Sequence, residues 1–100
     1  MTPDPRLRRQ AVLPAGPGAA QALLEPILTE RAGGGRPLSL TLDFGAPTPA
    51  GAAVEVEAWE ERATRTLSFL QGRIVRSADQ RLVAKVTAVF ARPSPGANPR

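Results

Sequence analysis

The chain of 100 residues contains no cysteine and no histidine. The first absence excludes disulfides and thiolate nucleophiles; the second excludes imidazole bases and Ser-His-Asp catalysis. Together they remove Cys/His metal sites. Chemistry carried by this chain therefore rests on carboxylates, hydroxyls, amides or the backbone, and neither a metal site nor a cofactor is expected. Aromatic residues are scarce, with three Phe, one Trp and no Tyr. No nucleic-acid motif is present, and the basic residues are scattered apart from Arg6, Arg8 and Arg9, so nucleic acid is not an expected partner. No apolar run approaches the roughly 18 residues of a membrane helix, and Pro14, Gly16, Pro17 and Gly18 interrupt the apolar stretch that follows the N-terminal arginines. A cytoplasmic protein is expected.

What is present is enough for one core. At 42% hydrophobic content the chain is one small domain, too short for two. The net charge of +4 comes almost wholly from arginine, Lys85 being the only lysine, and the planar guanidinium fork suits phosphate and carboxylate groups.

Two Pro-rich ends, residues 1–5 and 93–100, read as a loose N-terminal tail and a disordered C-terminal tail around a domain at 6–92. Residues 6–13 give a short first strand with poor alternation. From Ala19 to about Ala32 apolar residues fall at Ala20, Leu23, Leu24, Ile27 and Leu28, the stripe of a helix with one buried face. Gly33-Gly34-Gly35 ends it. Pro26 removes the hydrogen bond to the Ala22 carbonyl, which predicts a kink or a split. Leu38, Leu40, Leu42 and Phe44 then alternate with polar residues, as do Val54, Val56 and Ala58. A turn is expected near Arg62 and Ala63. The strand from Thr66 to Val75 has apolar residues on both faces, which calls for a bulge or a subunit contact. Ser77-Ala-Asp-Gln80 supplies turn residues, and Leu82, Ala84, Val86, Ala88 and Phe90 mark one face of a last strand. One helix followed by an uninterrupted antiparallel meander predicts an α+β fold.

The Arg36-Pro-Leu-Ser-Leu-Thr-Leu-Asp-Phe44 strand, its Gly45-Ala-Pro47 corner, the Gly16-Pro17-Gly18 helix entry and the closing Leu82-Val-Ala84 strand through Phe90 together resemble the hotdog-fold acyl-CoA thioesterase superfamily, in its TesB-like and PaaI-like branches. The resemblance covers residues 16 to 91. It implies an antiparallel sheet wrapped around one central helix, an acyl-CoA or similar acyl thioester as ligand, and a homodimer or homotetramer with the ligand between subunits. The Asp, Thr and Gln set of the TesB-like branch is missing, since its positions fall on Ser39, near Ala63 or Thr64, and near Thr87 or Ala88. In the PaaI-like register a helix carboxylate that activates water falls on Glu25, while glycine stands where that branch has histidine.

These residues define the candidate site. Glu25 is the candidate catalytic base, and its alternative is a Glu that caps or solvates the helix break before Pro26. Asp43 is the second catalytic candidate, read otherwise as a solvated strand-end aspartate. Gly16, Gly18 and Ala19 are the substrate-binding candidates, because unpaired amides at a helix N-terminus can polarise a thioester carbonyl. Trp59 reads first as a packing residue, and Arg62, Arg65, Arg73 and Arg76 as solvated arginines, with contact to a CoA phosphate as the other reading. Two functions follow: a thioesterase that binds and hydrolyses an acyl thioester at a subunit interface, and a non-catalytic hotdog module for acyl binding or dimerisation. A hydratase of the same fold would need the His and Asp that are lacking.

Overall fold

A computed structural model describes residues 6–92; both expected tails lie outside the described residues. The elements are β1 (Leu7–Val12), α1 (Ala19–Arg31), β2 (Arg36–Phe44), β3 (Ala53–Ala63), β4 (Leu67–Arg76) and β5 (Leu82–Ala91). The strands form one antiparallel sheet in the order β1-β3-β4-β5-β2, with α1 packed across one face. The expected meander is corrected at one step. β2 pairs with β5, not with β3, so the 45–52 corner carries the chain from the β2 edge past β5 and β4 to β3. The expected reversal near Arg62 and Ala63 also moves: β3 runs through Ala63, and Thr64 holds the turn, its Oγ1 accepting from the Leu67 amide at 3.0 Å.

The helix buries Ala20, Leu24, Ile27 and Leu28 against Val54, Val56, Ala58, Leu70, Ile74, Ala84, Val86, Ala88 and Phe90. Leu23, Leu40 and Leu42 are only half-buried at the margin of this core. Gly72 admits the helix: a Cβ there would meet Leu24 Cδ2 at 3.2 Å and Val86 Cγ1 at 3.1 Å. α1 is one continuous helix through Pro26, neither split nor reassigned. It ends in a Schellman motif, with the Gly33 amide donating to the Glu30 carbonyl and the Gly34 amide to the Thr29 carbonyl. Gly33 sits at φ 75°, a conformation that costs a glycine little.

Two register shifts resolve the two-faced β4 strand. One falls between Glu60 and Arg62 in β3, the other between Ile74 and Val75 against β5. Past the second shift Val75 and Val83 are both buried. At the other end Phe69 lies on the face away from the helix, with the Arg62 guanidinium 4.3 Å from its ring centroid. The outer strand β2 is less covered than its alternation suggests. Leu38, at a register shift, is 48% exposed and Phe44 is 69% exposed.

Candidate functional site

The N-terminus of α1 opens on a cleft of about 440 Å³ between the 13–20 segment and the 44–50 corner. Leu13, Ala20 and Val83 form its buried floor, Phe44 and Pro47 one wall, and Pro14, Gly16 and Pro17 the other. Backbone bonds fix these walls. Gly45 and Ala46 donate to the Val83 and Leu82 carbonyls at 2.9 and 2.7 Å, and Gly51 donates to Leu13 at 2.8 Å. Gly45 is required there, because a Cβ would stand 2.4 Å from the Leu82 carbonyl oxygen. Arg76 reaches the same corner, donating from Nη1 to the Pro47 carbonyl at 3.3 Å while its other nitrogens hold Asp79.

The helix entry is uncapped. Gly18 is the N-cap, no side chain caps it, and the first turn has no acidic residue. The Ala19 amide donates to Gly16 at 3.2 Å and Ala22 to Gly18 at 2.9 Å. Among the described residues no acceptor meets the amides of Ala20 and Gln21. Two donors at the positive end of a helix dipole, beside an apolar cleft, can hold a carbonyl oxygen or an anion.

Of the expected binding residues, Gly16 and Ala19 line the cleft, and Gly18 caps the helix behind it. The two carboxylates are not brought there. Glu25 is half-buried on α1 and accepts from Gln21 Nε2 at 3.3 Å. Helical spacing puts it on the flank opposite Glu30, which pairs with Arg9 of β1, so Glu25 overhangs the β2 side of the sheet. Asp43 is exposed, opposite Lys85 in the register, on the sheet face away from the helix. Among the described residues Thr48 is the one polar side chain that lines the cleft, and its hydroxyl donates to the Ala46 carbonyl at 3.0 Å. Sequence reasoning read the Phe44 to Pro47 corner as structural and missed its place in the cleft wall; the clue was the length of that corner, too long for a tight hairpin. Among the described residues no group of acidic residues could hold a metal ion.

A model of the acyl-CoA thioesterase N-terminal domain family matches residues 9–91. The chain belongs to this family. Solved structures share its hotdog fold. The zebra fish thioesterase superfamily member 2 superposes with a TM-score of 0.80 at 15% identity, over 93% of this chain and 79% of that one. A mutant of the phenylacetic acid degradation protein PaaI from Thermus thermophilus gives 0.79 at 22% identity, over 90% and 87%. The smu.793 protein of Streptococcus mutans, crystallised bound to acetyl CoA, gives 0.78 at 12% identity, over 91% and 83%. At these identities the structures establish the fold. Curated proteins gave no match. No helix among the described residues is long and apolar enough to cross a membrane.

Proposed function

We propose that this thioesterase-family chain binds an acyl thioester of the acyl-CoA type, as a cytoplasmic homo-oligomer, with the acyl group in the cleft and the thioester oxygen on the Ala20 and Gln21 amides. The observation that carries the reading is an uncapped helix N-terminus opening on an apolar cleft, in a chain of this family. An acetyl-CoA complex of a protein with the same fold supports the choice of ligand. The second copy joins along β2, the sheet edge that leaves one row of backbone groups unpaired and exposes Leu38 and Phe44. Glu25 then faces the joint between protomers. It serves there as the base that activates water, with Asp43 as the next candidate.

A second reading rests on the cleft lining. With Thr48 the one polar side chain and no carboxylate among the described residues that line it, the cleft suits binding better than hydrolysis. A panel of acyl-CoA substrates assayed for free thiol separates the two readings. If the protein is a hydrolase, Glu25→Gln lowers turnover by about 10²- to 10⁴-fold with ligand binding retained. Undiminished turnover in Glu25→Gln removes Glu25 from the reaction and sends the test to Asp43→Asn. Binding without turnover in either protein establishes the non-catalytic reading. Failure of acyl-CoA to bind at all overturns both.

A further inference from the structure

The face of the sheet away from α1 carries a charged row that the cleft does not use. Cross-strand register aligns Asp43, Lys85, Arg73, Glu57 and Arg8 across all five strands. Glu57 is the buried member, its side chain 4% exposed although charged. Both of its oxygens are engaged: Oε2 forms an ion pair with Arg8, whose Nε lies 2.8 Å away, and Oε1 accepts from Arg73 Nε at 2.8 Å and Arg6 Nη1 at 3.4 Å. Arg8 and Arg73 spend only Nε on this carboxylate. Their terminal nitrogens meet no acceptor among the described residues, and both side chains are about half exposed. Trp59, one pair along β3 on the same face, lies under Arg6 at 4.2 Å and near Arg73 at 5.9 Å.

We infer that Arg8 and Arg73, held on either side of Glu57, form an oxyanion subsite for a phosphate group on the outer face of the sheet. The buried carboxylate holds two guanidiniums whose strands flank β3, and the terminal N–H donors of each meet no acceptor among the described residues. Such a preorganised fork matches a phosphate oxygen pair, whereas a solvated arginine must be ordered first. Arg8 and Arg73 bring two positive charges to the one carboxylate between them. Lys85 extends it on β5, and Glu55 and Asp43 bound it. A phosphate dianion is the ligand class that uses both forks at once. Its source is a free phosphate or a phosphate carried by a nucleotide.

Trp59 is the only tryptophan in the chain, so its emission reports on this patch alone. The experiment titrates the full chain with inorganic phosphate, pyrophosphate and AMP at constant ionic strength, following Trp59 fluorescence against a chloride blank. A saturable change is expected with phosphate. Tighter binding of AMP than of phosphate assigns the nucleotide source; equal binding assigns free phosphate. Arg73→Gln is expected to weaken the dissociation constant by roughly tenfold, the loss of one charge-assisted contact. Arg8→Lys keeps the charge and the fold yet loses the fork, and is expected to weaken binding by a similar factor. Arg62→Gln removes an equal charge from the Phe69 end of the same face and should leave binding within about twofold. No saturable change, an unaffected Arg8→Lys, or an equal loss in Arg62→Gln would each overturn the subsite. So would an emission that follows protein concentration in place of phosphate, which would assign the face to a second copy of the chain.

Discussion

Beneath α1 the sheet buries valine, alanine, leucine, isoleucine and phenylalanine, with charge only at the margin where Arg9 and Glu60 pair with Glu30 and Arg31 of the helix, while its opposite face carries a row of five charged residues in register. Both faces are made by the same strands, so alternation alone separates them. The inner face owes its burial to a helix brought within contact of Gly72. Among the described residues no element covers the outer face, and Glu57 is nevertheless buried there because arginine stems close over it. Burial under a helix and burial under flexible side chains have different consequences. The first resists substitution by volume; the second resists it by charge balance.

The inner face should be the more costly to disturb. Leu24→Ala removes a side chain that is 1% exposed at the centre of the helix contact, and a loss of about 2–5 kcal/mol is expected in urea unfolding. A loss under half a kcal/mol would mean that the helix is not the core element. Glu57→Gln tests the outer face. It leaves three guanidiniums without their shared carboxylate, but they are partly exposed and can turn to water, so a smaller loss of about 1–3 kcal/mol is expected. If Glu57→Gln costs as much as Leu24→Ala, the outer cluster is as rigid as the core and the contrast fails.

The exposed edge should respond in association and hardly in stability. Leu38→Ser is expected to lower the population of the oligomer in sedimentation at micromolar concentration, while the unfolding of the protomer shifts by less than about 1 kcal/mol. An unchanged oligomer would move the joint away from β2. The smallest expected effect lies at the β4–β5 turn. A hydrogen bond from Arg76 is the main cause that lowers the Asp79 pKa below its ordinary value, with the Arg81 backbone amide and nearby positive charges adding to it. A lowered carboxylate pKa means that the folded state favours the ionised form. Its contribution is complete above the ordinary aspartate range and is lost as pH falls through the folded value. The stability difference between the protein and Asp79→Asn should therefore shrink on acidification from pH 6 to pH 3, and a difference that grows would reverse the sign.

Much of the architecture was legible in the residues themselves. The stripe at Ala20, Leu24, Ile27 and Leu28 and the alternation of β2, β3 and β5 correspond to the observed elements, because side-chain period follows from backbone geometry alone. The glycines after Ala32 marked the helix end for a similar reason: the left-handed turn at Gly33 is a local requirement. The helix entry around Gly16 and Gly18 was legible as a source of open amides, since a Pro/Gly segment offers no side chain to cap them. The corner and Glu57 were not. Nothing in the periodicity of β2 states which strand it will join, and the corner became a cleft wall only because β2 crossed to β5.

The sequence by itself determined where the helix and strands lie, which face of each is apolar, and that chemistry based on cysteine or histidine is absent. Only the tertiary structure decided that β2 closes the far edge of the sheet, that Phe44 and Pro47 stand opposite the open end of α1, that Glu25 and Asp43 lie outside that cleft, and that Glu57 is sealed by arginines from two neighbouring strands. The division has a physical cause. Period and turn chemistry are short-range properties written within a few residues, whereas strand partnership and the meeting of distant charges depend on contacts between segments tens of residues apart, where many pairings satisfy the same local pattern.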